Sequence, residues 1–170
     1  MREVERIADL LRRAHEGEAW HGPSMRELLA GLTAEQASAR PVAGAHTIKE
    51  LVLHAAAWER AVLRRLGGDP ATIYNTSEDW PDGGGESDED SWASALRLLS
   101  ETNAALREAV LRLDDSKLEE PIRPKMSSVY MTLHGVAQHT LYHAGQIAFV
   151  KKALGLGNSY DPSTHPEATA

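Results

Sequence analysis

The stretch VAQHTLYHAGQIAFV, residues 136 to 150, repeats its side chains at the pitch of a helix. Val136, His139, His143, Gln146 and Val150 follow one another at intervals of 3, 4, 3 and 4. They share one face, since residues at i and i+4 lie only about 40° apart. A second stripe of Leu133, Ala137, Ala144, Ile147 and Leu154 runs beside it, with Gln138 and Lys152 on the outer side. The two valines mark the histidine stripe as inward. The spacing predicts a helix over about 130–154, stopped at Gly155, with both histidines turned to a core.

Outward from this helix the chain is helical almost throughout. Val4, Ile7, Leu10, Leu11 and Ala14 form a first amphipathic helix, broken at HGPS, where Pro23 suits the first turn of a short continuation towards Gly31. LTAEQASARPVAGA reads as a connector with one helical turn. Thr47-Ile48-Lys49-Glu50 is a capping box that opens a second helix, ended by Gly67-Gly68 after Leu66. Its inner face is Leu51, His54, Trp58 and Val62. Residues 67–86 are rich in Gly, Pro and acid without periodicity and read as a long acidic surface loop. Ser87 and the acidic run Asp88-Glu89-Asp90 start a third helix with the stripe Trp92, Leu96, Leu99, Asn103, Leu106, Val110 and Leu113. The expected architecture is all-α: one four-helix bundle over 1–157, followed by a flexible tail over 158–170.

Composition narrows the function. The chain has 25 acidic and 18 basic residues, a net charge of −7 and no basic patch, which argues against a nucleic-acid partner. No apolar run reaches the roughly 18–20 residues of a membrane span. MREVERIADLLRRAHEG is too charged for a signal peptide, so a cytoplasmic setting is expected. Cysteine is absent, which removes disulfides, thiolate metal sites and a Cys nucleophile. There is no phosphate-binding or hydrolase-elbow glycine motif.

The histidines carry the remaining signal. Eight histidines in 170 residues give about 0.4 pairs at i,i+4 by chance, so His139 and His143 alone mean little. His54 adds weight, centred between Leu51 and Trp58 on the inner face of the second helix. Three imidazoles in one low-dielectric core need partners for their nitrogens. They could satisfy one another or backbone carbonyls, or they could hold a divalent cation, for which neutral imidazole is a common ligand. His134 lies about 140° off this face and Tyr142 about 100°, the latter reading as a packing or interface residue. His15, ending the first helix, reads as a cation beside a helix C-terminus.

AHTIKELVLHAAAWERAVLRRL and, much later, LHGVAQHTLYHAGQIAFVKKAL together resemble the DinB-like superfamily of metalloenzymes over about residues 5–155, with WHGPS and EDWP resembling one branch of it. The resemblance implies a four-helix bundle, often dimeric, with one metal held by His54, His139 and His143. His46 departs from the Trp of many relatives and reads as part of the helix entry.

Three neutral histidines are the donor set of a site with an open position. A divalent ion there, zinc or nickel, could activate water for hydrolysis or deprotonate a substrate thiol. The resemblance implies both, with transfer of a low-molecular-weight thiol of the bacillithiol type ahead of hydrolysis; a metal-binding protein without turnover is the third reading. The E-x-x-H pairs of di-iron bundles are missing, so one ion per chain is expected. Gln146, Asn103, Trp58 and His21 are candidates for orienting the ligands or touching a small-molecule substrate. Three have a plainer role available: Asn103 could set helix register, Gln146 could bond a carbonyl, and His21 could be a loop histidine. A homodimer is expected from the resemblance.

Overall fold

Side-chain caps fix where the helices begin. A computed structural model describes residues 1–70, 72–82 and 87–157, and within them six α-helices follow in order. They are α1 (Glu3–Glu16), α2 (Met25–Leu29), α3 (Ala34–Ser38), α4 (Ile48–Leu66), α5 (Glu89–Leu111) and α6 (Val129–Ala153), with a 3-10 turn at Asp115–Lys117. At α4 the Thr47 hydroxyl accepts the Glu50 amide at 3.1 Å, and the Glu50 carboxylate accepts the Thr47 amide at 2.8 Å. This reciprocal pair satisfies two of the donors a helix start leaves open. Asp88 and Ser128 cap α5 and α6 in the simpler way, accepting from Ser91 and Met131. Pro23 does not enter α2 as its spacing suggested. Ser24 is the N-cap instead, because its hydroxyl accepts from Glu27 and its own amide donates back to the Glu27 carboxylate.

Four long helices close a ring. α4 packs against α5 and α6, and α1 packs against the same two, so α4 and α6 share a seam while α1 stands across from α4. Two apolar clusters fill the bundle. One joins α2 and α3 to the first half of α4, the first half of α5 and the second half of α6, around Met25, Leu51, Trp92, Leu99 and Ile147. The other joins α1 to the remaining halves, around Ile7, Leu11, Val62, Leu106 and Leu133. Truncating any of these fully buried side chains to Ala would cost on the order of 2–5 kcal/mol.

Between the clusters lies one polar layer. Glu59 of α4 is fully buried, and its Oε1 accepts from Asn103 Nδ2 at 3.1 Å and from Thr140 Oγ1 at 3.2 Å. Glu59, Asn103 and Thr140 each sit on their helix between the stretches that feed the two clusters, so the three helices meet in a fixed register. A buried polar contact of this kind penalises any slippage that would leave one member unpaired.

No described helix is long and apolar enough to cross a membrane. Among the described residues no strand forms, only an isolated bridge between Pro121 and Ser128. The expected tail at 158–170 lies outside the described residues, as do Gly83, Gly84 and Gly85. The acidic loop is not purely a surface feature. Ile73 is 2 % exposed and Asp79 6 %, because residues 72–82 fold back against α4.

Candidate metal centre

The seam between α4 and α6 brings His54, His139 and His143 together. Nε2 of His139 stands 3.1 Å from Nε2 of His54 and 3.0 Å from Nε2 of His143. The three nitrogens form the one group of potential metal donors of this kind among the described residues. Bonds of about 2.0–2.1 Å to a central ion would set donor nitrogens of a tetrahedral site roughly 3.3 Å apart, close to the spacing found.

The outward nitrogens explain why the inner ones face each other. His54 Nδ1 lies 2.6 Å from the backbone oxygen of Asp79, and His143 Nδ1 lies 2.7 Å from Gln146 Oε1. A carbonyl oxygen can only accept, so both Nδ1 atoms carry the proton and both Nε2 atoms present a lone pair. His139 can put at most one proton into the centre. If it does, one N–H must serve two lone pairs; if it does not, three lone pairs face one another. Its Nδ1 is meanwhile buried with no hydrogen-bond partner. Extra protons do not resolve the conflict. Burial holds all three imidazoles below their ordinary range, with His139 pushed down to about 3 by burial and by its two neighbours. A cation at the centre satisfies all three nitrogens at once. The residues therefore fit a divalent ion.

The chain matches the model of the DinB superfamily over residues 19–147. It belongs to the DinB superfamily. Its fold is also that of a crystal structure described as a conserved protein of locus from Enterococcus faecalis, with a TM-score of 0.71 and 15 % identity over 91 % of this chain and 99 % of that one. No curated protein matches the sequence. The histidines that the DinB resemblance implied as ligands are the three that the fold assembles.

Much of what surrounds the DinB site comes from the loop, where helical periodicity offers no guide. Asp79 is the main element of it. Its backbone oxygen orients His54, while its carboxylate accepts from Trp58 Nε1 at 2.8 Å and from the Asn75 amide at 3.1 Å. Trp80 stacks on His54 at 3.8 Å between centroids, and its other face takes the His46 ring at 3.6 Å. His46, with Nδ1 3.2 Å from Glu50, is thus part of the helix entry and also a bracket for the tryptophan that covers His54. The available signal was compositional: Asp79 and Trp80 sit in EDWP, an acid and an aromatic within a Gly-rich stretch.

The remaining candidates divide. Gln146 orients His143, and Trp58 joins the site through Asp79. Asn103 pairs with Glu59 in the polar layer and does not line the cavity at the imidazoles. His21 is exposed and does not line it either. Neither does His134, whose ring packs on Tyr130 at 4.3 Å. His15 is not the surface cation its position suggested: it is 4 % exposed, and burial pushes its imidazole down to about 4. The cavity beside the imidazoles has a volume of about 580 Å³, with walls that include Trp58, Tyr74, Trp80, Met131, Val136 and Tyr142. Such a mostly apolar cleft with a few convergent polar groups suits a small organic molecule.

Proposed function

We propose that this DinB protein holds one divalent metal ion, zinc or nickel, on His54, His139 and His143, and uses it to transfer a low-molecular-weight thiol to a small electrophilic substrate in the adjoining cavity. The observation that carries the proposal is the convergence of three Nε2 atoms to which neutral imidazoles supply at most one N–H. When bound, the ion supplies a Lewis acid that lets a thiol shed its proton near neutral pH. The chain's own residues do the rest. Asp79 and Gln146 hold the imidazoles in the donor tautomer, Trp80 shields His54 from water, and the aromatic walls bind the apolar part of the substrate.

One feature favours thiol transfer over hydrolysis. Asp79 is the single carboxylate among the described residues that line the cavity, and its oxygens already accept from Trp58 and Asn75. Hydrolysis profits from a general base aimed at the reacting atoms, whereas both Asp79 oxygens are turned to N–H donors of the protein. A thiol acidified by the ion needs no such base, and since the chain has no cysteine the thiol must enter as a cosubstrate. The cytoplasm, where thiols are kept reduced, is the compartment this reaction requires.

Elemental analysis of the protein and of His143→Ala, purified identically, tests the ion. About one ion per native chain, lost in the variant, is expected. The ion-loaded protein then goes to a panel of biological thiols with electrophilic acceptors, and to esters and amides without thiol. Cleavage of esters or amides with no thiol consumption would favour hydrolysis. Turnover in neither assay would make the ion a structural staple of the bundle.

A homodimer belongs to the same proposal. Met131, Tyr142 and Phe149 are 61 %, 65 % and 60 % exposed along α6, an apolar face that a second copy would cover. Light scattering should give a dimer mass that Phe149→Glu reduces to that of a monomer.

A further inference from the structure

Where the end of α1 meets α2 and the first half of α5, the bundle holds a second cavity, of about 400 Å³. It shares no lining residue with the cavity at the histidine cluster and takes none from α4 or α6. Leu29, Leu32, Leu96 and Leu99 supply its apolar surface, and His15 lines it as well. The His15 ring is 4 % exposed, and its Nδ1 is buried with no hydrogen-bond partner. A neutral imidazole has one N–H to give and one lone pair to fill, and burying either unmatched is costly.

The charges around this cavity are of one sign. Arg26 and Arg97 line it, both exposed, and no carboxylate does among the described residues. Arg97 donates to Ser94 Oγ at 3.1 Å, and neither guanidinium joins an ion pair among the described residues. In a chain with 25 acidic and 18 basic residues, a cavity whose only charged walls are arginines calls for an anion. The positive field reaches the imidazole: burial holds His15 low, Glu16 opposes that, and the charges of Arg107 and Arg26 add to it.

We propose that this cavity is a second ligand site, for a small amphipathic carboxylate whose apolar chain or ring lies on the four leucines and whose head group turns to His15 and Arg26. It stands whether or not the histidine cluster holds an ion. Guanidinium and imidazole N–H groups both donate to carboxylate oxygens, and charge-assisted bonds of this kind are about twice as strong as neutral ones. The leucines lower the local dielectric and strengthen the pairing. A neutral head group of the same size keeps the apolar contacts and loses the attraction of the arginines. An inorganic anion keeps the attraction and leaves the leucines uncovered. The volume lies near the lower end of ligand cavities, which run from roughly 300 to 1,000 Å³, and so favours a small molecule.

The test uses full-length protein labelled with nitrogen-15 at about pH 7, where the carboxylate probe is ionised. Sodium octanoate, octan-1-ol and inorganic phosphate are titrated separately, and amide shifts report both where each probe binds and how tightly. Octanoate should move the amides of residues 15, 26–32 and 96–100, and bind there on the order of tenfold tighter than octanol, as expected for a charge-assisted pair. Phosphate should bind more weakly than octanoate. The double variant Arg26→Met with Arg97→Met should bring octanoate down to the affinity of octanol; both side chains are exposed, so the fold survives. Ala30→Trp, at an exposed position on the cavity wall, should weaken octanoate and octanol together. Three outcomes overturn the proposal. They are an absence of shifts at these residues, equal binding of acid and alcohol, and an acid advantage that survives the double variant. Shifts confined to the surroundings of His54, His139 and His143 count as the first of these and leave the reading of that cluster untouched.

Discussion

Glu59→Gln should raise the stability of the protein at alkaline pH and leave it nearly unchanged at acid pH. Glu59 is fully buried in the polar layer, and burial pushes its carboxyl up to about 7, against 4.5 for an ordinary glutamate, despite hydrogen bonds from Asn103 and Thr140. Its Oε2 and the Oδ1 of Asn103 are both buried without a partner. The carboxyl already receives the Asn103 amide on Oε1, so a proton on Oε2 would make the reciprocal bond of an acid–amide pair with Asn103 Oδ1. The sign follows from linkage. Between pH 4.5 and about 7 the unfolded chain releases this proton while the folded chain keeps it, so stability falls as pH rises. Each pH unit costs about 1.4 kcal/mol, and the whole window roughly 3 kcal/mol. Glutamine is nearly isosteric, accepts from Asn103 and Thr140 through its oxygen, and carries an N–H where the acid proton would sit. The variant should therefore match the wild type near pH 5. Near pH 8 it should exceed it by up to roughly 3 kcal/mol, a rise in Tm of about 6–12 °C for a domain of this size. Urea denaturation followed by circular dichroism across this pH range measures it. Parallel stability profiles for the two proteins would refute the reasoning, because a carboxylate ionised in both states leaves no difference to titrate.

Three further outcomes follow from the same contacts. Trp58→Phe removes the indole N–H that Asp79 accepts at 2.8 Å and should weaken zinc binding on the order of tenfold in a competition titration with a chelator; unchanged affinity would mean that the loop holds His54 without this bond. Gln146→Ala removes the acceptor at His143 Nδ1, freeing the ring to take the other tautomer, and a loss of similar size is expected in the same titration. His15, pushed down to about 4, stays neutral in the folded chain while the unfolded chain takes up a proton, so stability is lost as pH falls from 6.5 towards 4. His15→Leu should shrink that acid loss by roughly 3 kcal/mol, read as a shallower acid limb in urea midpoints; an unaltered limb would place a charged imidazole in the folded state.

The helices and the three imidazoles were legible because both obey local rules. Thr47-Ile48-Lys49-Glu50 makes the cap it spells, and the intervals of α6 put His139 and His143 on the seam with α4. What was not legible depends on elements far apart in the chain. Asp79 and Trp80 lie in a loop without periodicity, and their roles come from folding back over α4, 25 residues away from His54 in the case of the Asp79 carbonyl. Glu59 was passed over for a related reason. The stripe Leu51, His54, Trp58 and Val62 describes one inner face, but α4 is wedged between α5 and α6, so it also buries Val52, Ala55, Ala56 and Glu59. A charged residue in HAAAWERAV looks solvated until its partners are known. Asn103 was visible as a polar interruption of an apolar stripe, and of its two readings the contact with Glu59 supports register over the cavity. The histidine cluster and the polar layer thus share α4 and α6. Glu59 bonds Thr140, the residue after His139, so the contact that sets the register of the two helices also fixes how far His54 stands from its partners. A one-residue slip of α6 would rotate both of its imidazoles by about 100° and dissolve the centre.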